Sequence, residues 1–355
     1  MRTILITGGA GFVGSNLAMS LKEKYPSYEI VCMDNLKRRG SELNLVRLKE
    51  KEIKFLHGDI RHKEDFAEIA GPVHCIIDAA AEPSVLAGLD GNTDYLLQTN
   101  VNGTVNALNF ALEHKANFIF LSTSRVYPIK PIEEIQVVET ATRFEIAPGQ
   151  QEKQITQKGI TENFPLQGSR SLYGATKLAS ELIVEEYNAL FGLKTVINRC
   201  AVLTGPYQMG KVDQGVVVLW MAKHFWKGNL SYIGYGGTGK QVRDILHVND
   251  LFALIDQQIH FPEKFNAEIY NVGGSREVSA SLCELTKICE EITGNKIQIQ
   301  SDPATRKADI RLYLSDCSKI QQQALWKPRH SVNQIMEDIF LWIKQNEKQL
   351  KPILS

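Results

Sequence analysis

The fold is decided near the start of the chain, by the stretch Thr3-Ile4-Leu5-Ile6-Thr7-Gly8-Gly9-Ala10-Gly11-Phe12-Val13-Gly14. Its apolar first half predicts a buried strand, and the pattern of residues 15–24 predicts the helix that follows. Three glycines at this spacing, between a strand and a helix, are typical of a dinucleotide site. Gly8 permits a tight turn, Gly11 lets the backbone approach a pyrophosphate, and Gly14 lets the helix lie close to the sheet. The free N–H groups at the start of the helix then face the phosphates, so we predict cofactor binding by Gly8, Gly11, Phe12 and Val13.

An acidic residue follows the glycines at the distance that such a site requires. Asp34 closes the second apolar strand, 29–33, and we place its neighbour Asn35 in the same cofactor site. A carboxylate there accepts hydrogen bonds from both ribose hydroxyls and repels a 2′-phosphate, which favours NAD over NADP. Arg38 and Arg39 follow closely. They leave NADP open as an alternative unless they are ordinary solvated loop residues.

Charge and composition exclude several classes of protein. The 355 residues include 40 basic and 40 acidic side chains, a balance that argues against nucleic-acid binding. No apolar run approaches the roughly 20 residues that span a bilayer, and the first strand begins too early to leave room for a signal peptide. The six cysteines contain no C-x-x-C pair, so we expect reduced, buried thiols and no metal site. These features predict a cytoplasmic protein that binds no membrane.

Strands alternate with helices through the first half of the chain, which predicts an α/β fold built on a doubly wound, parallel Rossmann sheet. We expect an NAD-binding domain at 1–198 and a smaller mixed α/β substrate-binding domain at 199–355. Within the second domain, about 242–272 is expected to pack back onto the first. The irregular segment 128–171 is longer than a passive loop usually is, and it is either a partly structured lid beside the active site or surface decoration.

Side chains at the carboxyl ends of the predicted strands are the next candidates, because a parallel sheet binds its ligands there. Asp59 and Ile60 follow the third strand and suit the amine and the ring face of an adenine, although Asp59 is equally compatible with a cap for a helix at 63–69. Three small residues after the fourth strand allow a flat ligand to approach the backbone. The remaining cofactor candidates of this group are Ala79, Ala80, Ala81, Asn100 and Ser122.

The strongest catalytic signal is the pair Tyr173 and Lys177. On a helix, residues four apart share one face about one turn apart. A fixed ammonium stabilises a phenolate and lowers the pKa of the tyrosine, so Tyr173 is a candidate base, and Lys177 would also bind the nicotinamide ribose. Such pairs are common by chance, and the interpretation depends on the dinucleotide motif and on the hydroxyl-rich strand end before it. Thr123, with Ser122, would orient the substrate oxygen.

Together these motifs resemble those of the extended short-chain dehydrogenase/reductase family, and within it the nucleotide-sugar epimerases and dehydratases. The resemblance extends over nearly the whole chain. It implies NAD as the cofactor, a nucleotide sugar as the substrate, and a homo-oligomer (a dimer or a tetramer) built on packed helices near 94–114 and 173–191. It also implies that Arg243 and Arg306 hold the diphosphate, a role that suits the planar fork of an arginine.

The residues after Thr123 separate the possible activities. Dehydratases of this family carry an Asp-Glu pair there, whereas this chain has Ser124 and Arg125, which we assign to substrate binding together with Gln214. Several segments look closest to the CDP-tyvelose (CDP-paratose) 2-epimerases. They are Met33-Asp34-Asn35-Leu36, Glu139-Thr140-x-Thr142-Arg143, Asp213-Gln214-Gly215 and Gly239-Lys240-Gln241-Val242-Arg243-Asp244.

The resemblance implies epimerisation by transient oxidation of a hexose that carries a nucleotide, with a CDP-hexose favoured and C2 the reacting carbon. The alternatives are a 4-epimerase or a 4-ketoreductase acting on another nucleotide sugar. A third possibility is a non-enzymatic NAD sensor. A sensor would be expected to lose the Tyr173/Lys177 pair, which this chain keeps.

Overall fold

The computed structural model describes residues 2–89, 91–150, 152–210, 214–306 and 308–355. Their strands are β1 (Thr3–Thr7), β2 (Glu29–Asp34), β3 (Lys54–His57), β4 (Cys75–Asp78), β5 (Asn117–Thr123), β6 (Val137–Glu139), β7 (Phe144–Ile146), β8 (Ile155–Thr156), β9 (Gly159–Ile160), β10 (Thr195–Cys200), β11 (Val202–Thr204), β12 (Leu230–Ile233), β13 (Val242–His247), β14 (Glu268–Val272), β15 (Ser279–Ser281), β16 (Ile299–Asp302) and β17 (Leu312–Tyr313). The helices are α1 (Phe12–Lys24), α2 (Asn44–Glu50), α3 (Lys63–Phe66), α4 (Asp94–Leu97), α5 (Gly103–His114), α6 (Ile129–Glu133), α7 (Leu172–Phe191), α8 (Val216–Phe225), α9 (Val248–His260), α10 (Pro262–Phe265), α11 (Leu282–Thr293), α12 (Ser318–Ala324), α13 (Val332–Gln345) and α14 (Glu347–Leu354).

The chain divides into two units. The first comprises Met1–Val126, Ser171–Arg199 and Leu251–Tyr270, and the second comprises Tyr127–Arg170, Cys200–Asp250 and Asn271–Ser355. The first unit differs from the predicted first domain, 1–198, because it does not contain 127–170. Hydrogen bonds explain the difference, because the Phe144 N–H donates to the Lys240 carbonyl and the Ile160 N–H to the Leu314 carbonyl. The segment of the second half that belongs to the first unit is 251–270 rather than 242–272.

The first unit contains a seven-stranded sheet in the order β14-β10-β5-β4-β1-β2-β3. The strand β1 runs parallel to both of its neighbours, β2 and β4, so the chain order reverses at β1, as in a Rossmann fold. Strand residues such as Leu5, Val31 and Ile76 are fully buried against Leu108 and Ala111 of α5. This confirms the α/β, doubly wound prediction and brings the ends of β1, β4 and β5 to one edge of the sheet.

The second unit is mixed α/β, as predicted, but it is not smaller than the first, because it includes 127–170. Its main sheet is built around β13, which pairs in parallel with β11 and β17 and antiparallel with β15. The segment between Tyr127 and Arg170 contains α6 and two antiparallel hairpins, β6–β7 and β8–β9. It is therefore partly structured, and whether it acts as a lid stays a prediction.

Several element boundaries differ from the sequence prediction. The helix near 250 begins at Val248, and Asn249 is not its cap, because the Asn249 N–H instead donates to Nδ1 of His247. The helix predicted from 213 begins at Val216, and Asp213 lies outside the described residues. The long helix α7 was predicted correctly, and Gly192 ends it in the left-handed conformation.

Candidate active site

The glycine turn between β1 and α1 has the conformation expected of a phosphate-binding loop. Gly8 has φ +64°, and a Cβ atom on Gly14 would lie 2.3 Å from the Gly8 carbonyl oxygen. Larger side chains are therefore excluded at both positions. Gly11 is the N-cap of α1, no side chain caps the helix, and its first turn contains no acidic residue. The first N–H groups of α1 thus suit an anion.

Asp34 stands at the end of β2 and is tied to this turn. Its carboxylate accepts hydrogen bonds from the Ala10 N–H at 3.1 Å and from the Leu36 N–H at 2.8 Å. Burial raises its pKa, and these backbone hydrogen bonds oppose the increase. The two carboxylate oxygens have about four acceptor positions, so these bonds leave room for a ribose hydroxyl.

Asp59 is more heavily engaged than the sequence suggested. Its two oxygens accept from the Arg61 side chain, from the Arg61 N–H and from the Asn35 amide, at 2.8 to 3.0 Å. Burial opposes ionisation of this carboxyl, yet the hydrogen bonds from Arg61 and Asn35 outweigh it and hold the pKa well below its usual range. Binding of an adenine amine by Asp59 would have to displace one of these donors, and that role stays a prediction. The capping alternative is wrong, because His62 is the N-cap of α3.

Ile60 is buried, with 5% of its surface exposed, and a Cβ atom on Gly103 would lie 2.7 Å from its side chain. The isoleucine therefore packs closely on the start of α5. Contact with a ring on its other side stays a prediction.

Ala79, Ala80 and Ala81 follow β4 as a half-buried loop. The N–H groups of Ala79 and Ala80 both donate to Oγ1 of Thr7, at 3.2 Å, and that hydroxyl donates in turn to the Asp78 carboxylate at 2.6 Å. The loop is thus fixed to the end of β1. Sequence reasoning assigned no role to Asp78, although a charge at the end of the apolar run Cys75-Ile76-Ile77 was a usable signal.

Asn100 is fully buried and lies in a π-type turn, Gln98–Asn102, between α4 and α5. Its amide oxygen accepts from the Glu82 N–H at 2.8 Å, and its amide nitrogen donates to the Glu82 carbonyl and to Oγ1 of Thr176. These contacts position the loop 79–82 and α7 relative to each other. π-turns of this kind occur frequently at functional sites.

Ser122 lies inside β5, which continues to Thr123 rather than ending at 121. The Ser122 hydroxyl donates to Glu181, and Glu181 forms an ion pair with Arg199 at 2.8 Å. Both charged side chains are at most 3% exposed. Sequence reasoning missed this pair, and the detectable signal was the four-residue spacing of Tyr173, Lys177 and Glu181 along one face of α7.

Thr123 is the last residue of β5, and 8% of its surface is exposed. Its Oγ1 accepts a hydrogen bond from the Arg125 N–H at 3.2 Å. This bond fixes the position of the oxygen and leaves its hydrogen to donate to a substrate oxygen. Ser124 and Arg125 follow in a short 3-10 turn, both half-buried, and neither offers a carboxylic acid.

Tyr173 and Lys177 lie on α7 at the predicted helical spacing, and both are buried, with 8% and 1% of their surfaces exposed. The Ser171 hydroxyl caps the helix by accepting from the Gly174 N–H, which fixes the first turn next to Tyr173. The Lys177 ammonium lies 3.8 Å from the centre of the Phe120 ring on β5. The first unit therefore contains a buried phenol, a buried ammonium and an oriented hydroxyl in Thr123.

The predicted diphosphate ligands lie in the second unit. Nη2 of Arg243 contacts Asp309 at 2.8 Å, and the Asp309 N–H donates to the Arg306 carbonyl, so the two arginines share one neighbourhood. Arg306 is exposed, whereas Arg243 is mostly buried. Gln214 is half-buried just before α8. The part of the chain that the structure describes contains no helix long and apolar enough to cross a membrane.

Comparison with known proteins identifies the family. Residues 4–273 match the NAD dependent epimerase/dehydratase family. The chain belongs to this family. Its cofactor is accordingly NAD, which is also bound in solved structures of similar proteins.

Among relatives, this epimerase/dehydratase chain is 30% identical to a CDP-paratose 2-epimerase of Salmonella typhi, over 96% of this chain and 98% of the relative. Among solved structures it is 25% identical to a UDP-glucose 4-epimerase of Thermotoga maritima with UDP-glucose, with a TM-score of 0.80 and coverage of 98% and 100%. A dTDP-glucose 4,6-dehydratase of Bacillus anthracis in complex with NAD is also 25% identical, with a TM-score of 0.77 and coverage of 99% and 100%.

The residues of the first unit fit this cofactor. The uncapped start of α1 suits the pyrophosphate, and the Asp34 carboxylate suits a ribose diol and repels a 2′-phosphate.

Proposed function

We propose that this protein epimerises a nucleotide-activated hexose by transient oxidation and re-reduction, and that it interconverts CDP-paratose and CDP-tyvelose at C2. The observation that carries the reaction type is the burial of Tyr173 and Lys177 one turn apart on α7, in the same unit as the glycine turn. The choice of sugar is supported by the 30% identity to a CDP-paratose 2-epimerase.

In this proposal Tyr173, as the phenolate, takes the proton of a sugar hydroxyl and returns it when the ketone is reduced. NAD, held at the glycine turn and by Asp34, would supply the hydride acceptor for the oxidation and the hydride donor for reduction on the other face. Thr123 donates a hydrogen bond to the reacting oxygen in both steps. Lys177 favours the phenolate through its charge. The sugar has to turn between the two steps, so the firm contacts belong on the nucleotide, where Arg243, Arg306 and Gln214 are proposed to bind.

A 4-epimerase or a 4-ketoreductase is the second candidate, favoured by the similarity to a UDP-glucose 4-epimerase in fold and sequence. A dehydratase is disfavoured, because Ser124 and Arg125 cannot act as the acid pair that dehydration uses. A sensor that only binds NAD is also disfavoured. Burial of the Lys177 ammonium one turn from Tyr173 costs free energy, and a sensor has no use for that pair.

Incubation of the purified protein with CDP-paratose, CDP-tyvelose and UDP-glucose in D2O tests these candidates. We expect interconversion of the two CDP-sugars without deuterium on carbon and without consumption of added NADH. Deuterium at the inverted carbon would indicate enolisation, and stoichiometric use of NADH would indicate a reductase. Turnover of UDP-glucose but of neither CDP-sugar would contradict the proposed substrate and would still support epimerisation.

The base is tested by Tyr173→Phe, which we expect to abolish turnover while NAD stays bound. Tyr187→Phe is the matched control, since Tyr187 lies on the same helix and its hydroxyl donates to Asn109. Retained activity in Tyr173→Phe would remove this residue as the base.

The proposal includes a homo-oligomer, a dimer or a tetramer. Exposed apolar side chains on α7 support it, because Leu182, Leu190 and Phe191 are 55% to 70% exposed. Light scattering on the purified protein tests the oligomer, and a monomer at micromolar concentration would contradict it.

A further inference from the structure

Asp78 lies in a row of three residues that crosses the sheet of the first unit. The register pairs Thr7 of β1 with Asp78 of β4, and Asp78 with Phe120 of β5. Directly paired residues of neighbouring strands point to the same face of a sheet, with Cβ atoms about 5 Å apart. The Lys177 ammonium lies 3.8 Å from the Phe120 ring, so it stands over the neighbour of Asp78.

Hydroxyl groups contact both oxygens of the Asp78 carboxyl. Oγ1 of Thr7 accepts from both the Ala79 and Ala80 N–H groups, so its own hydrogen is directed to Asp78. The Thr104 hydroxyl lies 2.9 Å from the second carboxyl oxygen. Asp78 is completely buried, and water therefore cannot screen its charge.

Two carboxylates are relevant to Lys177, namely Glu181 on the same helix and Asp78, whose pKa the Lys177 ammonium lowers. Glu181, one turn further along α7, is already paired with Arg199 of β10 and bonded to Ser122 of β5. Tyr173 lies one turn back on the same helix. Burial is the largest effect on the pKa of Asp78 and raises it, while the Lys177 ammonium is the largest effect that lowers it.

We propose that Asp78 is the buried counter-charge of Lys177, a positioning residue that keeps the ammonium protonated beside Tyr173. An ammonium that is 1% exposed is stable only with a compensating charge or strong hydrogen bonds. Because Asp78 also fixes the alanine loop through Thr7, it couples the charge of the catalytic helix to the loop predicted to contact the cofactor. The inference rests on the proposed function, since it assigns Lys177 its role there.

The pH profile of kcat in Asp78→Asn tests the proposal. Removal of a nearby negative charge lowers the proton affinity of both Tyr173 and Lys177. We therefore expect both limbs of the profile to move to lower pH, by about one pH unit or more. Thr104→Val removes a hydroxyl from the same carboxyl and keeps the charge, so it is expected to lower the rate while leaving the two limbs in place. Unmoved limbs in Asp78→Asn would mean that Asp78 carries no charge, and would overturn the proposal.

A second readout does not depend on turnover. The ultraviolet absorbance of the Tyr173 phenolate, taken as the difference between a protein and its Tyr173→Phe variant with NAD bound, is expected to appear at lower pH in the Asp78→Asn background. If this shift occurs while no nucleotide sugar reacts, the proposed substrate fails and the role of Asp78 stands. If sugars react and the titration does not move, the role of Asp78 fails alone.

If Asp78→Asn does not fold well enough to assay, thermal unfolding of Lys177→Met and of the double variant tests the proposal instead. Lys177→Met leaves an unmatched buried carboxylate, so the double variant Lys177→Met/Asp78→Asn is expected to melt at a higher temperature than Lys177→Met. A double variant that melts no higher than Lys177→Met would show that the two charges are not coupled, and would overturn the proposal.

Discussion

Asn100 and Thr176 are joined by a buried hydrogen bond, from the side-chain amide of the first to the hydroxyl of the second, at 3.0 Å. Thr176 precedes Lys177 on α7, and the Asn100 amide also binds both main-chain groups of Glu82. One side chain thus connects the helix that carries the proposed base with the loop after β4. Asn100 lies in the π-type turn between α4 and α5.

Asn100→Ala is expected to destabilise the protein by about 2 to 3 kcal/mol, because three hydrogen bonds are lost and their buried partners remain. NAD affinity is expected to fall with it, since the loop 79–82 loses its attachment. Denaturant unfolding and NAD titration measure the two effects. Asn102→Ala is the control in the same turn. Asn102 is exposed and bonds Gln98, so we expect a change below about 0.5 kcal/mol. Equal effects of the two substitutions would contradict the assigned role.

The buried pair of Glu181 and Arg199 leads to a second prediction. Arg199→Met leaves the Glu181 carboxylate buried without its cation, and we expect a loss of about 3 to 5 kcal/mol in the free energy of unfolding. Lys194→Ala breaks the ion pair with Glu263, whose side chains are 42% and 74% exposed, and should cost less than about 1 kcal/mol. Similar losses in the two variants would show that burial does not govern these pairs.

A third prediction concerns Thr123, whose hydroxyl is oriented by the Arg125 N–H. Thr123→Val removes the donor to the reacting oxygen and is expected to lower kcat by about 10²- to 10³-fold, as the loss of one such donor does in other enzymes. Thr123→Ser keeps the hydroxyl and should retain most of the rate. Steady-state kinetics with NAD binding as a control distinguish the two. Equal rates in Thr123→Val and Thr123→Ser would remove the hydroxyl from the mechanism.

The sequence predicted the parts of this protein that follow from local patterns. The glycine turn, Asp34 and the spacing of Tyr173 and Lys177 on α7 are fixed by short-range geometry, and the structure places each in the predicted element. The place of 127–170 in the second unit was not predicted, because it depends on pairing with residues such as Lys240 and Leu314 that lie far away in the chain.

The partners of the polar side chains were equally unpredictable. No pattern in the sequence indicates that Ser122 meets Glu181, or that Asp59 uses its oxygens on Arg61 and Asn35. The contacts of Ser122 with Glu181 and of Asp59 with Asn35 depend on tertiary packing, so the residues were found as candidates while their roles were not. The binding roles of Asp59 and Ser122 therefore stay predictions.

The last prediction concerns Asp244, a completely buried carboxyl at the centre of the second unit. Its Oδ2 accepts from the Ser275 and Ser315 N–H groups, whereas Oδ1 has no partner. Burial raises its pKa from 3.8 to about 7. Between these values the folded protein keeps a proton that the unfolded chain has released. The contribution of Asp244 to stability is therefore complete below pH 4, falls as the pH rises towards 7, and is constant above.

Asp244→Asn removes this titration, so its stability relative to the wild type is expected to increase between pH 4 and pH 7, by up to about 4 kcal/mol. The difference between the two proteins is the quantity to measure. Burial, the larger cause, and the neighbouring His330 lower the pKa of His247 to about 4, and this gives the wild type a slope of opposite sign in the same range. Denaturant unfolding at several pH values provides the comparison. Asp316→Asn, at another buried carboxyl of the unit, should leave the Asp244 slope in place. A constant difference between Asp244→Asn and the wild type across this range would show that Asp244 is ionised throughout.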